Sequence, residues 1–394
     1  MRKALVIFLS LILIILAGCG APSPQPSSDR LPPEEQTSDN ETQKPEIVDR
    51  DTTEPLKEPE TEILKPELPT PIGQLKAHFI NVGQGDAILI QTPEQNILID
   101  GGERDAGVDV VKYLRNHGVN SLDLVIGTHA HSDHIGGLIH VLDSIPVKEV
   151  IDPAAVHTTK TFEDYLILID EKDIKFTEGR AGMTRDIGGG ATLQILHPVS
   201  PSSSHLNDSS IVTKIAFGEI SFLLTGDVEQ KSESEMLARK EQLKSKILKS
   251  PHHGSSSSSS PAFLKAVNPE VAVIMCGKDN SYGHPHEETL QAYANMGIDI
   301  YRTDLHGTVV ITTDGQTYDI NVKQPYVYTP QKKPDPEPGI VTDSFMGSIN
   351  SDKYHYPDCK HAGSIKPKNR IVFSSIEEAK SKGYSPCKVC KPPN

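Results

Sequence analysis

The stretch "THAHSDHIGG", residues 128–137, decides how this chain is read. It places His129, His131, Asp133 and His134 within six positions and closes on Gly136 and Gly137. The run before it, "LDLVIG" (122–127), is apolar and β-rich, which predicts a buried strand delivering its last residues to a surface loop. His129 and His131 stand two apart in extended backbone and project the same way, whereas Asp133 and His134 open the helix that "IGGLIHVLDSI" (135–145) predicts. Imidazole and carboxylate are donors that zinc, iron and manganese accept, so the cluster reads as two half-sites for divalent ions. The two glycines are expected to let the helix backbone approach those ions closely.

Upstream, "KAHFINV" (76–82), "DAILIQT" (86–92) and "NILIDGG" (96–102) are short β-rich runs broken by Gly, Pro and Asn, the pattern of an antiparallel meander. "DVVKYLRNHG" (109–118) changes to helical spacing and ends on a glycine. Downstream, "VAVIMCG" (271–277) reads as a strand whose Cys276 belongs to the core. The six serines 255–260 read as a mobile loop, beside which hydroxyls could serve a phosphate. "SEMLARKEQLKSKI" (234–247) reads as a charged amphipathic helix face, and His197, with no motif around it, as structural.

"HAHSDH" matches the His-x-His-x-Asp-His signature, and the chain resembles the metallo-β-lactamase superfamily, an α/β fold built as a four-layer αβ/βα sandwich with a one- or two-metal site at one edge. The resemblance implies that Asp100 in "ILIDGG" braces the histidine loop without binding metal, that Asp227 in "FLLTGD" (222–227) bridges two ions, and that "LKSPHHGS" (248–255) supplies the last ligand, His253 in preference to His252. Many members carry another histidine between these motifs; here the interval offers only His197, His205 and "NDSSIVTKI" (207–215). That order of motifs, with "YGHP" (282–285) and "YRTDLHG" (301–307), resembles the metallo-β-lactamase-like domain of ComEC-type competence proteins across nearly all of 75–325.

The ends of the chain read differently. "MRK", the apolar run 4–16 and "LAGC" have the form of a secretory signal, too short to span a bilayer comfortably, and the ending resembles the bacterial lipobox, in which Cys19 is lipidated after cleavage. Residues 20–74, rich in Pro, Ser, Thr and Glu, have little to bury and are expected to form a disordered tether. After a Pro-rich linker at 326–342, the segment 343–394 pairs His355-x3-Cys359 with Cys387-x2-Cys390, the spacing of a closed tetrahedral zinc site that so small a unit needs as a staple. The alternative is a Cys387–Cys390 disulfide with Cys359 free. "NRIVFSSIEEAKSKGYSPCKVCKP" (369–392) resembles the zinc-binding domain of Ada, the methyl-phosphotriester repair protein. In that family a cysteine takes the methyl group at the first ligand position. Here His355 stands there, which leaves a structural or DNA-docking role.

Charge constrains the partners. Residues 75–325 carry 33 acidic against 21 basic residues, and 339–394 carry 5 against 9. An acidic body is a poor non-specific binder of nucleic acid, so polyanion recruitment falls to the basic tail. The sequence therefore predicts a lipid-anchored, extracytoplasmic metal-dependent phosphodiesterase, a nuclease acting on DNA or another phosphodiester polymer. It would hold two divalent ions (zinc or manganese) on His129, His131, Asp133, His134, Asp227 and His253, have one structural zinc in the tail, and need no organic cofactor. Asp133, His252 and His284 are the candidate catalytic residues, the two histidines for phosphate contact or leaving-group protonation. Rival readings are a phosphocholine esterase, a lactonase, a β-lactamase (disfavoured by the missing histidine motif) and a non-catalytic DNA-capture lipoprotein.

Overall fold

The computed structural model describes residues 70–330 and 344–392. The expected signal peptide, Cys19 and the tether lie outside them, apart from the tether's last five residues. The chain divides into two units, one reaching Tyr328 and the other starting at Thr329.

In the first unit, Leu75–Phe79, Ile88–Gln91 and Asn96–Ile99 form the antiparallel meander. Leu124–Ile126, Glu149–Asp152 and Lys175–Glu178 continue the sheet in parallel, and Val309–Thr313 with Tyr318–Ile320 complete eight strands on the other edge. A second sheet of seven strands runs antiparallel from Thr184–Asp186 through Ala191–His197 and Val212–Phe217 to Ile220–Leu224. It then runs parallel through Ile247–Lys249, Val271–Ile274 and Asp299–Arg302.

Strand alternation decides the layers. Ile88 and Ile90 join Phe79, Leu193, Phe222 and Val273 in a core shared by both sheets. Leu89, between them in sequence, points the other way, into a core with Val110, Leu114, Leu138 and Tyr165 from the helices Gly107–Asn116, Leu138–Ser144 and Lys160–Glu171. Helices Gln230–Ala238, Pro261–Val267 and Glu287–Asn295 cover the outer face of the second sheet. Two inner sheets and two outer helical layers make the four-layer αβ/βα sandwich.

Three expectations change. Gly136 and Gly137 approach a loop of the chain. A Cβ on Gly136 would stand 2.7 Å from the Arg104 amide nitrogen, and one on Gly137 would collide with the Gly101 carbonyl. The glycines thus dock the ligand helix on the 101–104 loop, where Gly137 N donates to Gly102 O at 2.8 Å. The helix expected over 234–247 is Gln230–Ala238, because Lys240 adopts a left-handed φ of 56° and the chain turns toward the strand at Ile247. The serine run is no mobile loop: Ser255, Ser258 and Ser259 are buried. The buried Glu233 carboxylate accepts from Ser259 N at 2.5 Å and Ser260 N at 2.9 Å, and Ser260 caps the helix Pro261–Val267.

The second unit is a four-stranded sheet in the order Arg370–Phe373, Phe345–Ser348, Lys353–His355, Ser385–Pro386. Its core is small: Phe345, Tyr354, Phe373 and Ala379. Among the described residues no helix is long and apolar enough to cross a membrane.

Candidate metal centres

Strands from both sheets end at one edge of the sandwich and hand their following loops to one site, the place where parallel strands of open α/β sheets present ligands. Ile126 leads to the histidine loop, Leu224 to Asp227, and Lys249 to His253. Ile211 N donates to Thr128 O at 2.9 Å and fastens the two sheets together there.

Asp133, His134, Asp227 and His253 each offer a ligand atom, all within 4.8 Å of one another. His134 Nε2 and His253 Nε2 both lie 3.2 Å from Asp227 Oδ2, and His253 Nε2 lies 3.3 Å from Asp133 Oδ2. His129 and His131 form an adjoining pair outside that group, with His129 Nε2 2.9 Å from His131 Nδ1 and the His129 ring centroid 4.2 Å from that of His134. His252 is turned aside: its Nε2 is 3.9 Å from Asp227 Oδ2, while its Nδ1 lies 3.1 Å from Ser257 Oγ and 3.3 Å from Glu229. His252 and His253 both have left-handed backbone, φ 49° and 54°, a strained pair that turns the two rings apart.

Asp100 accepts from Thr128 N at 2.8 Å and Thr128 Oγ1 at 2.7 Å, and its Oδ2 lies 2.8 Å from His134 Nδ1. That contact leaves His134 Nε2 facing the carboxylates, an orienting arrangement usual for metal-bound histidine. His253 Nδ1 is held likewise by Met275 O at 2.8 Å. His197 is buried elsewhere, with Nδ1 on Ser210 O at 3.0 Å. Cys276 is buried, and burial followed by Asp304 pushes its thiol up to about 12.

The electrostatics suit a cation. Burial opposes charge on His134 and His253, but Asp227 and the other carboxylates outweigh it and hold both imidazoles well above their ordinary value. Burial would likewise raise Asp227, yet His253 and His134 hold it well below the carboxylate range. His134 Nε2, His253 Nε2 and Asp227 Oδ1 are buried with no hydrogen-bond partner, the signature of donor atoms shaped for a metal ion. Protons and divalent ions compete for those same lone pairs.

Two residues of this site carry no motif signal. Lys249, fully buried, places Nζ 2.5 Å from Asp86 Oδ2, 3.0 Å from Gly226 O and 3.6 Å from Asp227 Oδ1. Burial works against its charge, but Asp86 and Asp227 hold the ammonium above its ordinary value. Asp86 also lies 3.4 Å from His253 Nδ1. The available signal was a lone lysine between an apolar strand and "SPHHGS", and a lone aspartate between glycine and an apolar strand.

In the second unit His355, Cys359, Cys387 and Cys390 lie with ligand atoms within 4.8 Å of one another. All three cysteines are free thiols, so the disulfide alternative is set aside. Val389 N donates to Cys387 Sγ at 3.4 Å, which supports thiolate character.

Residues 80–278 match the family described as "Metallo-beta-lactamase superfamily", and residues 340–393 match "Metal binding domain of Ada". The chain is similar to ComE operon protein 3 of Bacillus subtilis (strain 168), 30% identical over 266 residues that make 63% of this chain and 34% of that protein. It is also similar to competence protein ComA of Neisseria gonorrhoeae, 30% identical over 58% of this chain and 31% of that one. A ribonuclease Z of Alkaliphilus oremlandii is 27% identical over 25% of this chain and 33% of its own. The chain thus spans about a third of the length of these relatives. Among solved structures, the metallo-beta-lactamase fold protein YhfI from Bacillus subtilis aligns with a TM-score of 0.40 at 17% identity, covering 61% of this chain and 100% of that one.

Proposed function

Since the chain belongs to the metallo-beta-lactamase superfamily, we propose that this hydrolase is a metal-dependent phosphodiesterase acting on DNA, held outside the cytoplasm by lipid on Cys19. The observation that carries the reading is the intact donor group Asp133, His134, Asp227 and His253, with His129 and His131 alongside. Similarity to proteins named for competence supports DNA as the polymer. Divalent ions held by these donors would lower the pKa of a bound water toward roughly 7 and would supply positive charge for a departing oxygen. Asp227 Oδ2, 3.2 Å from both His134 Nε2 and His253 Nε2, is the carboxylate at the centre of this donor group. His252, tied through Nδ1 to Ser257 and Glu229, presents Nε2 at the edge of the carboxylate group, with Asn207 Nδ2 3.4 Å away, where it contacts phosphate or carries a proton to the leaving group.

The proposed organisation is a signal to Cys19, a tether over 20–74, a hydrolase domain over 75–325, a linker over 326–342 and a zinc-stapled domain over 343–394. The last brings polyanion to an otherwise acidic body through its excess of lysine and arginine. The deciding experiment offers the full chain, with added zinc or manganese, bis-p-nitrophenyl phosphate, DNA, RNA and nitrocefin side by side. Cleavage of the phosphodiesters with nitrocefin intact is expected; nitrocefin cleavage alone overturns the reading. Replacing Cys19 with Ser should move the protein out of the membrane fraction, and unchanged lipid labelling refutes the anchor.

A further inference from the structure

Beside the metal group the chain holds an aromatic ring in water. Tyr282 is 65% exposed, a high value for so large an aromatic ring. It is not adrift. One face of its ring lies parallel to His284, centroids 5.6 Å apart and planes 19° apart. His284 in turn stands 5.5 Å from the His252 ring and 6.2 Å from that of His253. Two ring-to-ring steps therefore separate Tyr282 from the donor group.

The segment that carries it is braced on every side. Asn280 accepts from His284 N at 3.0 Å and donates to Gly277 O at 2.9 Å and His284 O at 2.6 Å, closing 277–284 into one clasp. His286 Nε2 lies 3.2 Å from Tyr282 O, and its Nδ1 accepts from Ser256 N at 3.0 Å, tying the clasp to the serine run. Gly254, next to His253, packs so closely on Pro285 that a Cβ there would come within 2.7 Å of the proline ring. The backbone that carries Tyr282 is held by these bonds and one ring neighbour is His284, so the exposed ring is already placed when a flat partner lands on it. Among the described residues His284 is the one ring it meets, so its outer face is open to a partner.

We infer that Tyr282 is a stacking platform for a nucleobase one nucleotide from the phosphate at the metal group, and that the substrate is a strand whose bases are free to unstack. The inference rests on the phosphodiesterase reading and narrows it. Bases within a duplex already have both faces covered, so a single-sided platform at the site selects single-stranded or frayed nucleic acid. The tyrosine reads no sequence, since every base has a π-face.

The test uses the full chain with zinc or manganese, one single-stranded oligonucleotide, the same oligonucleotide lacking the base beside the scissile phosphate, and its duplex. Tyr282→Ala should raise KM for the intact single strand by roughly 5- to 150-fold, the range that loss of a base–aromatic stack gives. Tyr282→Phe, which keeps the ring, should stay within about twofold, and the abasic strand should respond little to the alanine change. Bound metal, measured in parallel, should remain. Equal KM changes on intact and abasic strands, or Phe behaving as Ala, overturns the platform. If the unaltered chain cleaves bis-p-nitrophenyl phosphate but no nucleic acid, the platform falls and phosphodiester hydrolysis stands. If it cleaves neither, the parent reading falls first.

Discussion

The Lys249–Asp86 pair invites a quantitative test, because it is a salt bridge without water. Both side chains are essentially inaccessible, and Nζ lies 2.5 Å from Oδ2. Lys249→Met keeps length and apolar stem but removes the ammonium, stranding the Asp86 carboxylate beside Asp227 and Asp100. Breaking a buried pair by removing one partner costs about 3–5 kcal/mol. The lower half of that range is expected, because His253 Nδ1, 3.4 Å from Asp86 Oδ1, remains to share the charge. For a domain of this size 1 kcal/mol moves Tm by about 2–4 °C, so Tm should fall by roughly 6–16 °C. Adding Asp86→Asn should recover more than half of that loss, since a neutral side chain has no stranded charge. Thermal unfolding followed by circular dichroism, with chelator and with metal, measures both. A loss under about 2 °C in the single variant, or simple additivity in the double, would falsify the view that this pair neutralises the floor of the site.

Three further outcomes can be checked. Asp227→Ala should lower metal content and abolish hydrolysis, whereas His197→Ala should destabilise the fold but keep the metal, as read by elemental analysis. In the metal-free chain, the raised imidazoles of His134 and His253 contribute stability that is full below the ordinary 6.5 and is lost as pH climbs through their raised values. The depressed Asp227 contributes above its ordinary 3.8 and is lost as pH falls through its lowered value, so chelated protein should be most stable in mildly acid solution and metal uptake should release protons, measurable by calorimetry in two buffers. Removing 339–394 should slow cleavage of long DNA far more than of a small phosphodiester, with the gap closing between about 50 and 200 mM salt. His355→Ala should mimic the deletion and His355→Cys should not; equal DNA-to-small-substrate rate ratios with and without the tail would refute its recruiting role.

What could be read from sequence was what is contiguous in it. "HAHSDH", "TGD" and "HHG" carry their chemistry within a few residues, and "DAILIQT" and "NILIDGG" show as short apolar β-rich runs between breakers. Asp86 and Lys249 meet only after both sheets have formed, and neither position looks unusual alone. Gly136 and Gly137 mark a close approach, but its partners, the Arg104 amide and the Gly101 carbonyl, sit in a loop more than thirty residues upstream that their local sequence does not announce. The charged periodicity of 234–247 promised a helix longer than the chain could afford before Ile247 had to enter the sheet.

The six serines have a consequence for sequence variation. Repeats of one residue are where copying errors add or drop a unit, and in a linker such a change passes unnoticed. Here every unit has a different task. Ser257 faces His252, Ser259 meets Tyr293 Oη at 2.9 Å and gives its amide to Glu233, and Ser260 starts a helix. Dropping one serine would shift all of these duties by a position, pulling His252 away from its anchor or uncapping the helix. The tract is chemically monotonous but fixed in length, and a chain one serine longer or shorter should be defective although its composition is almost unchanged.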